Sequence, residues 1–375
     1  MVRIWNVHPR GENRLEEQHM IMPTNATGDV TSLCWHVCSR FCQPSSDTQP
    51  NDSLLAAGTF SGLTTIWNVD GSLRASMPSP HGPIFTLAFN PAGTLLVTCS
   101  ASGVFEVYTT KDWSSIFKVS ATGKPWEHMP NVPSIVWIDD QRLAILAEST
   151  PHSIVNCWQF DDSHATSPFL QFIGHEGLVN DIQYDRGTRY IGTASDDTSV
   201  RLWTLDKSTP HHQFKSHAAP VHSLSFRPAA HPDTTPRVLA SASWDGTLCL
   251  YDITHLTHLH TLGPQIHSFP HDRIACVTWS PDGRYFCSGD LEGAVGVWEW
   301  RDDMGEAPRA YAIWAPDRVR EDQQVQEGGA GMANGMNGHK DDLDRPVHGI
   351  HWQKNGHGFV VCRENRKVPF PFPPS

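Results

Sequence analysis

Three groups of side chains in this 375-residue chain have types and spacings that suggest chemistry. His175, Ser195 and Asp197 would supply the base, nucleophile and orienting carboxylate of a hydrolase triad. Cys34, His36, Cys38 and Cys42 offer thiolates and an imidazole to a metal. His255, His258 and His260 fall on an expected outer strand, where alternation puts His258 and His260 on one face. Each group also has a plainer reading. The His-Ser-Asp set recurs as His217, Ser241 or Ser243, and Asp245, and a buried polar network explains both spacing and recurrence without an exposed nucleophile. A Cys-x3-Cys-x3-Cys run that begins inside a strand does not match zinc spacings, and histidines on a sheet edge are ordinarily solvated. No Gly-rich phosphate loop, GxSxG or HExxH is present. The expectation is therefore no catalytic residue, no metal, no cofactor and no enzyme activity.

The elements that position these residues come from one internal repeat. GTFSGLTTIWN, CSASGVFEVYT, ASDDTSVRLWT, SASWDGTLCLYD and SGDLEGAVGVWEW all read as a turn followed by an alternating strand that ends on an aromatic residue. The aromatic slots are Trp67, Tyr108, Trp158, Trp203, Tyr251 and Trp298, separated by 41, 50, 45, 48 and 47 residues. That period suits a blade of four short strands. Upstream of each lies a further strand: GPIFTLAFN, NVPSIVWID, GLVNDIQYD, APVHSLSFRP and DRIACVTWSPDG. In APVHSLSFRP, period-2 alternation sets Val221, Ser223 and Ser225 against His222, Leu224 and Phe226. The predicted order in each blade is an inner strand, a turn such as Ser280-Pro281-Asp282-Gly283, two antiparallel strands and a more variable outer one.

Seven modules follow, at residues 29 to 67, 80 to 108, 128 to 158, 175 to 203, 217 to 251, 270 to 298 and 343 to 371. An eighth is expected only as its third strand, Val2 to Asn6, with the start of that repeat missing and an unpaired edge left behind. The last module is irregular, with Asn365 and Pro371 in the Asp and Trp slots. The whole of residues 1–375 reads as a single all-β domain with a flexible Gly-rich insertion at about 302–343.

Composition agrees. Fourteen Trp, 28 Gly and 28 Pro fit short strands and tight turns. A net charge of −12 argues against direct nucleic-acid binding and favours a basic peptide or protein. Nine scattered Cys with no CxxC pair, no long apolar stretch and no apolar leader in MVRIWNVHPR point to an intracellular, soluble protein without a membrane partner. The sequons at Asn25 and Asn51 are read as chance matches.

With Gly174-His175 opening a blade and Trp203 or Tyr251-Asp252 closing its third strand, the chain resembles the WD-repeat β-propellers. The resemblance implies a buried tetrad of His175, Thr193 or Ser195, Asp197 and Trp203, with a second set of His217, Ser241 or Ser243, Asp245 and Tyr251. A buried imidazole donates to a carboxylate and accepts from a hydroxyl, which satisfies every polar group. Elsewhere Ser102 and Glu292 stand in the Asp slots and Pro80 and Pro270 in the His slots, so His and Asp are lost together.

The order DVTSLCW, LLAAGTFSGLTTIWNVDGSL, HGPIFTLAFNPAG, GHEGLVNDIQYDRGTRYIGTASDDTSVRLW and FRPAAHPDTTPRVLASASWDGTLCLYD is similar to the transducin-beta-like corepressor subunits. That resemblance implies a non-catalytic scaffold in a nuclear histone deacetylase corepressor complex that regulates transcription on chromatin. Its partners would be repressor scaffold segments, deacetylase complex subunits and basic histone tails. The helical oligomerisation module of that subfamily is not seen, so tetramerisation is not carried over. Val297-Trp298-Glu299-Trp300-Arg301 approaches the Trp-Asp-x-Arg ending of cullin-type ubiquitin ligase receptors, which is the alternative function.

In resembling propellers, partners meet the face formed by the start of each inner strand and the residue before the turn Asp. Carried over, the partner-binding face comprises Asp29, Phe60, Phe85, Leu178, Asn180, Asp196, His222, Trp244, Arg273 and Leu291. Phe60, Phe85 and Trp244 would be exposed apolar anchors, and Asp29 and Asp196 acceptors for a Lys or Arg.

Overall fold

The computed structural model describes residues 2–7, 15–21, 30–36, 54–68, 71–120, 134–149, 152–160, 168–228, 237–263, 273–301, 307–314, 347–352 and 359–363. Among these residues every regular element is a strand and every pairing is antiparallel. Asp29, Cys38, Cys42, Pro270, Asn365, Pro371 and the 302–306 and 315–343 parts of the Gly-rich insertion lie outside the described residues. The chain divides into two compact units, Met1–Ile173 and Gly174–Ser375.

The first unit begins with Val2–Val7 (β1) paired to Leu15–Ile21 (β2). Val2 to Asn6 is therefore not a lone strand, because a second strand follows it. Three four-stranded sheets come next. They are Val30–His36, Leu54–Thr59, Leu63–Asn68 and Leu73–Pro78 (β3–β6); Ile84–Phe89, Leu95–Ser100, Val104–Thr109 and Ser115–Ser120 (β7–β10); and Ile135–Trp137, Arg142–Ser149, His152–Gln159 and Leu170–Phe172 (β11–β14). The second unit holds Val179–Asp185, Tyr190–Ser195, Val200–Trp203 and His212–Phe214 (β15–β18), then Val221–Phe226, Val238–Ser243, Leu248–Asp252 and Thr257–Leu262 (β19–β22). Ile274–Trp279, Tyr285–Asp290, Val295–Glu299 and Arg309–Trp314 (β23–β26) complete its four-stranded sheets, and Val347–Trp352 pairs with Phe359–Arg363 (β27–β28).

The core lies between consecutive sheets. In β20, Val238, Ala240 and Ala242 join Ile274, Trp279, Phe286 and Trp298 of the following sheet, while Leu239 joins Val200, Leu202 and Phe214 of the preceding one. All six residues of β20 are buried, so this strand is covered on both faces. The first unit repeats the scheme: Leu54, Ala56 and Ile66 pack on Ile84 and Leu96, and Val97, Phe105 and Val107 pack on Leu143, Ile145 and Trp158. Hydrogen bonds stitch neighbouring first strands. Ser223 Oγ and Ser225 Oγ accept from the Val277 and Trp279 amides at 3.2 and 3.1 Å, and Asp181 accepts from the Leu224 amide at 2.8 Å.

A β-bulge recurs near the start of the first strand. Register shifts separate Val30 from Ser32, Ile84 from Thr86, Val179 from Asp181, Val221 from Ser223, Ile274 from Cys276 and Val347 from Gly349. A bulge loops one residue out of the ladder and re-aims its side chain. It also corrects the simple alternation expected for Val221 to Phe226. Val221 and Leu224, three residues apart, enter the same core, and His222 is the residue left over. A second bulge corrects the histidine reading. His258 pairs with Tyr251 and His260 with Leu250, so the two occupy opposite faces, and His255 sits in the preceding turn.

The turn between second and third strands needs a left-handed residue. Gly62, Gly103, Gly246 and Gly293 supply it with φ of 82°, 72°, 78° and 98°, whereas the equivalent Thr198 holds φ 65°. A β-branched residue is strained there. Thr198→Gly should therefore raise stability by about 0.5–1 kcal/mol in denaturant titration, despite the greater unfolded-state entropy of glycine. A loss of stability would show that the Thr198 side chain contributes more than its backbone costs.

Candidate protein-interaction face

Two networks hold the turns of the second unit. His175 Nδ1 lies 2.8 Å from Asp197 Oδ2 and its Nε2 lies 2.7 Å from Thr193 Oγ1, which also accepts from Trp203 Nε1 at 2.8 Å. The Thr193 hydroxyl can donate to Nε2 while Nδ1–H donates to the carboxylate, so every group is used. Ser195 serves differently, with its Oγ accepting the Asp197 amide at 3.1 Å. In the next sheet His217 stands 3.1 Å from Asp245 and 2.7 Å from Ser241, with Tyr251 Oη 3.5 Å from Ser241 Oγ; Ser243 receives the Asp245 amide. Thr193 and Ser241 thus take the hydroxyl role, and both Ser195 and Ser243 brace the turn. All four hydroxyls are buried. Where the Asp is replaced, Ser102 bonds Ser100 at 3.0 Å and Ser61 bonds Thr59 at 2.9 Å.

Gly177 makes the first network possible. A Cβ there would lie 2.7 Å from the Asp197 amide nitrogen, so only glycine lets the chain after His175 run against that turn.

The electrostatics of the two histidines diverge. Burial pushes His175 below its usual value, with the Arg201 charge adding to it and Asp197 opposing. Burial also works against the His217 cation, but Asp245 beside it lifts the group to about 9. Arg201, 3.3 Å from Asp197, occupies the position that Cys249 takes in the next sheet. Burial works against both carboxylates as well, yet their hydrogen bonds to histidine and turn residues hold Asp197 and Asp245 far below the usual range.

The bulges and turns bring several of the expected face residues together in the second unit. His222, at the bulge of β19, stacks on Trp244 with centroids 4.0 Å apart and planes 12° apart. The Arg273 guanidinium lies 4.9 Å from the Trp244 ring, and the Arg273 carbonyl receives the Leu291 amide. Burial lowers the His222 imidazole to about 4, against the Asp196 carboxylate and helped by the Arg273 cation. Arg273 is exposed, Leu178 is 40% exposed, and Asp196, Trp244 and Leu291 are half-buried. Asn180 is buried and acts as a brace, its amide donating to Asp196 Oδ1 at 2.8 Å and to the Val221 carbonyl at 2.9 Å. In the first unit, Phe60 is 51% exposed in its turn and Phe85 is half-buried at its bulge.

Other candidates are dispersed. Cys34 is half-buried with its thiol pushed up to about 12 by burial. His258 bonds Thr261, His260 packs on Trp300, and His255 bonds Asp252. Trp300 is buried, and Arg301 lies 3.8 Å from Glu299.

The model of the WD domain, G-beta repeat matches residues 71–108, 166–204, 208–252 and 263–299. The structure resembles the crystal structure of the C-terminal WD40 domain of Sif2 with a TM-score of 0.68 at 18% identity, covering 93% of this chain and 83% of that one. The chain carries WD repeats at those residues and has the β-propeller fold of that domain. This propeller is 27% identical over 297 residues to the mouse F-box-like/WD repeat-containing protein TBL1X, covering 76% of the chain and 50% of that protein. It is also 27% identical over 301 residues to the Arabidopsis thaliana WD40 repeat-containing protein HOS15, covering 76% of the chain and 43% of that protein. The propeller thus spans about half the length of these relatives, and its likeness to them supports a protein-interaction scaffold.

The networks set two expectations. Asp197→Ala strips five hydrogen-bond donors of their acceptor and should cost about 2–4 kcal/mol, whereas Ser102→Ala should cost under about 1 kcal/mol. Equal losses in denaturant titration would contradict the assignment. Because the folded-state value of His217 is raised, its contribution is complete below about pH 6.5 and lost as pH rises through about 9. The stability gap between the parent and His217→Gln should narrow from pH 6 to pH 9.5; a widening gap would show that His217 folds neutral.

Proposed function

We propose that this propeller is a non-catalytic subunit of a nuclear histone deacetylase corepressor complex. Its partners are repressor scaffold segments, deacetylase complex subunits and basic histone tails. The observation that carries the reading is the cluster of Asp196, His222, Trp244 and Arg273, which joins an aromatic ring and two opposite charges across three consecutive sheets of the second unit. Aromatic and arginine side chains at a partly exposed surface are the groups that dominate protein interfaces. The likeness to TBL1X and HOS15 and the ordered segments shared with transducin-beta-like subunits support the corepressor assignment. The net charge of −12 favours basic tails as a second class of partner. Neither network offers an exposed nucleophile, which supports a scaffold without catalysis.

Trp244→Ala should leave the melting transition cooperative and weaken recovery of the deacetylase complex from nuclear extract by roughly 30-fold, about 2 kcal/mol. Asp196→Lys should weaken binding of a basic tail peptide further, because it sets like charges together. Leu73→Ala, at an exposed position of β6, should do nothing. Undiminished recovery with both site variants would move the partner to another surface. Recovery of a cullin adaptor in place of the deacetylase would favour the ligase-receptor reading.

A further inference from the structure

We propose that Arg273, seated on Trp244, receives an anionic side chain of a bound peptide, either a carboxylate or a phosphate. The inference rests on the reading of this face as a peptide-binding surface and adds the chemistry of what docks there.

Three buried or half-buried arginines of the second unit are committed. Arg201 reaches Asp197 at 3.3 Å, Arg237 reaches Asp185 at 3.3 Å, and Arg227 donates to the Gly283 carbonyl at 2.8 Å. Arg273 is exposed, and its contact is the Trp244 ring; among the described residues no carboxylate or carbonyl accepts from its guanidinium. Five N–H donors are thus held ready in a planar fork, and that geometry suits two oxygens of a carboxylate or phosphate. Stacking on the indole removes part of the rotamer freedom that a free arginine would lose on binding.

A second observation points the same way. Trp244 Nε1 is buried and finds no acceptor among the described residues, and neither does His222 Nε2 find a partner. An indole N–H is a donor only, so the group missing from this stack is an acceptor. A peptide that brings an anionic side chain to Arg273 brings carbonyl and carboxylate or phosphate oxygens to the same place. A lysine or arginine there would meet a like charge. Asp196 also lies near His222, and its Oδ1 accepts from the Asn180 amide, so the charged group of the cluster with no hydrogen-bond partner among the described residues is the Arg273 guanidinium.

The test uses the full chain and four immobilised libraries of blocked heptapeptides, randomised except for a central Glu, phosphoserine, Gln or Lys. Retention on the Glu or phosphoserine library should exceed that on Gln and Lys at least fivefold, and the better of the two names the source of the anion. Arg273→Gln, which alters an exposed side chain, should keep the parent melting transition and lose that preference. Arg273→Lys should keep only part of it, because an ammonium cannot bind two oxygens in a plane. Asp196→Asn should preserve or increase it. Equal retention on all four libraries, no retention on any, preference for Lys, or an anion preference that survives Arg273→Gln would each overturn the proposal. Co-precipitation of the deacetylase complex with the parent chain is read in parallel. Its failure would remove the corepressor assignment and leave the Arg273 result to be decided by the libraries.

Discussion

The second and third strands of these sheets carry apolar side chains on both faces, so a sheet alone would leave both apolar surfaces in water and a sheet with one neighbour would still leave one. Leu248 and Leu250 of β21 face one neighbour, and Cys249 and Tyr251 face the other. Each fully buried Leu, Val or Phe is worth about 1.5–3 kcal/mol, which a sheet gains on both faces only when it has a neighbour on each. Stacking consecutive sheets is the solution the chain adopts within both units, and the repeat exists because each module needs the next. The same requirement explains why β20 and β21 are buried along their whole length, while the fourth strands, such as Thr257–Leu262, are mostly exposed or half-buried.

Close stacking brings the first strands side by side, and there the bulge becomes useful. A regular strand would send alternate side chains into the two cores. The extra residue breaks that rule once per sheet, so that His222 leaves the ladder near the turn that carries Trp244. Asn180 occupies the corresponding position one sheet earlier and ties Asp196 to the Val221 carbonyl beside that bulge. The candidate face is therefore a product of backbone geometry repeated at equivalent positions, and the side chains placed there are free of the demands of the core.

This geometry also separates what was legible in the sequence from what was not. Aromatic slots at near-constant spacing identify the repeat, because the Trp or Tyr at the end of a third strand fills the same buried site each time. Asp197 and Asp245 are equally legible, since a turn Asp with His upstream has one economical use. Bulges leave no mark in a hydrophobic pattern that is still apolar at Val221 and Leu224, so strict alternation misassigned Val221 and placed His258 and His260 together. Asn180 looked like a contact residue by position, yet its amide is consumed by the fold. The Arg273–Trp244 stack joins residues 29 positions apart on successive sheets, and only the packing of those sheets brings them into contact.

The turns show what the polar networks contribute. Three sheets that lack the turn Asp carry Ser61-Gly62, Ser102-Gly103 and Glu292-Gly293, and in each the left-handed position is glycine. The sheet with the fullest network carries Asp197-Thr198 and holds a β-branched residue in that conformation. Asp197 accepts from His175, the Glu176 amide, the Ser199 amide and hydroxyl, and Arg201, so the turn is fixed from several directions. Strain of this kind survives where surrounding bonds over-determine the backbone. Asp245-Gly246 has both the network and the glycine, which shows that the network tolerates glycine without needing it. The dependence therefore runs one way: a turn without the carboxylate relies on glycine to adopt its shape, and a turn with the full network can impose that shape on a residue that resists it.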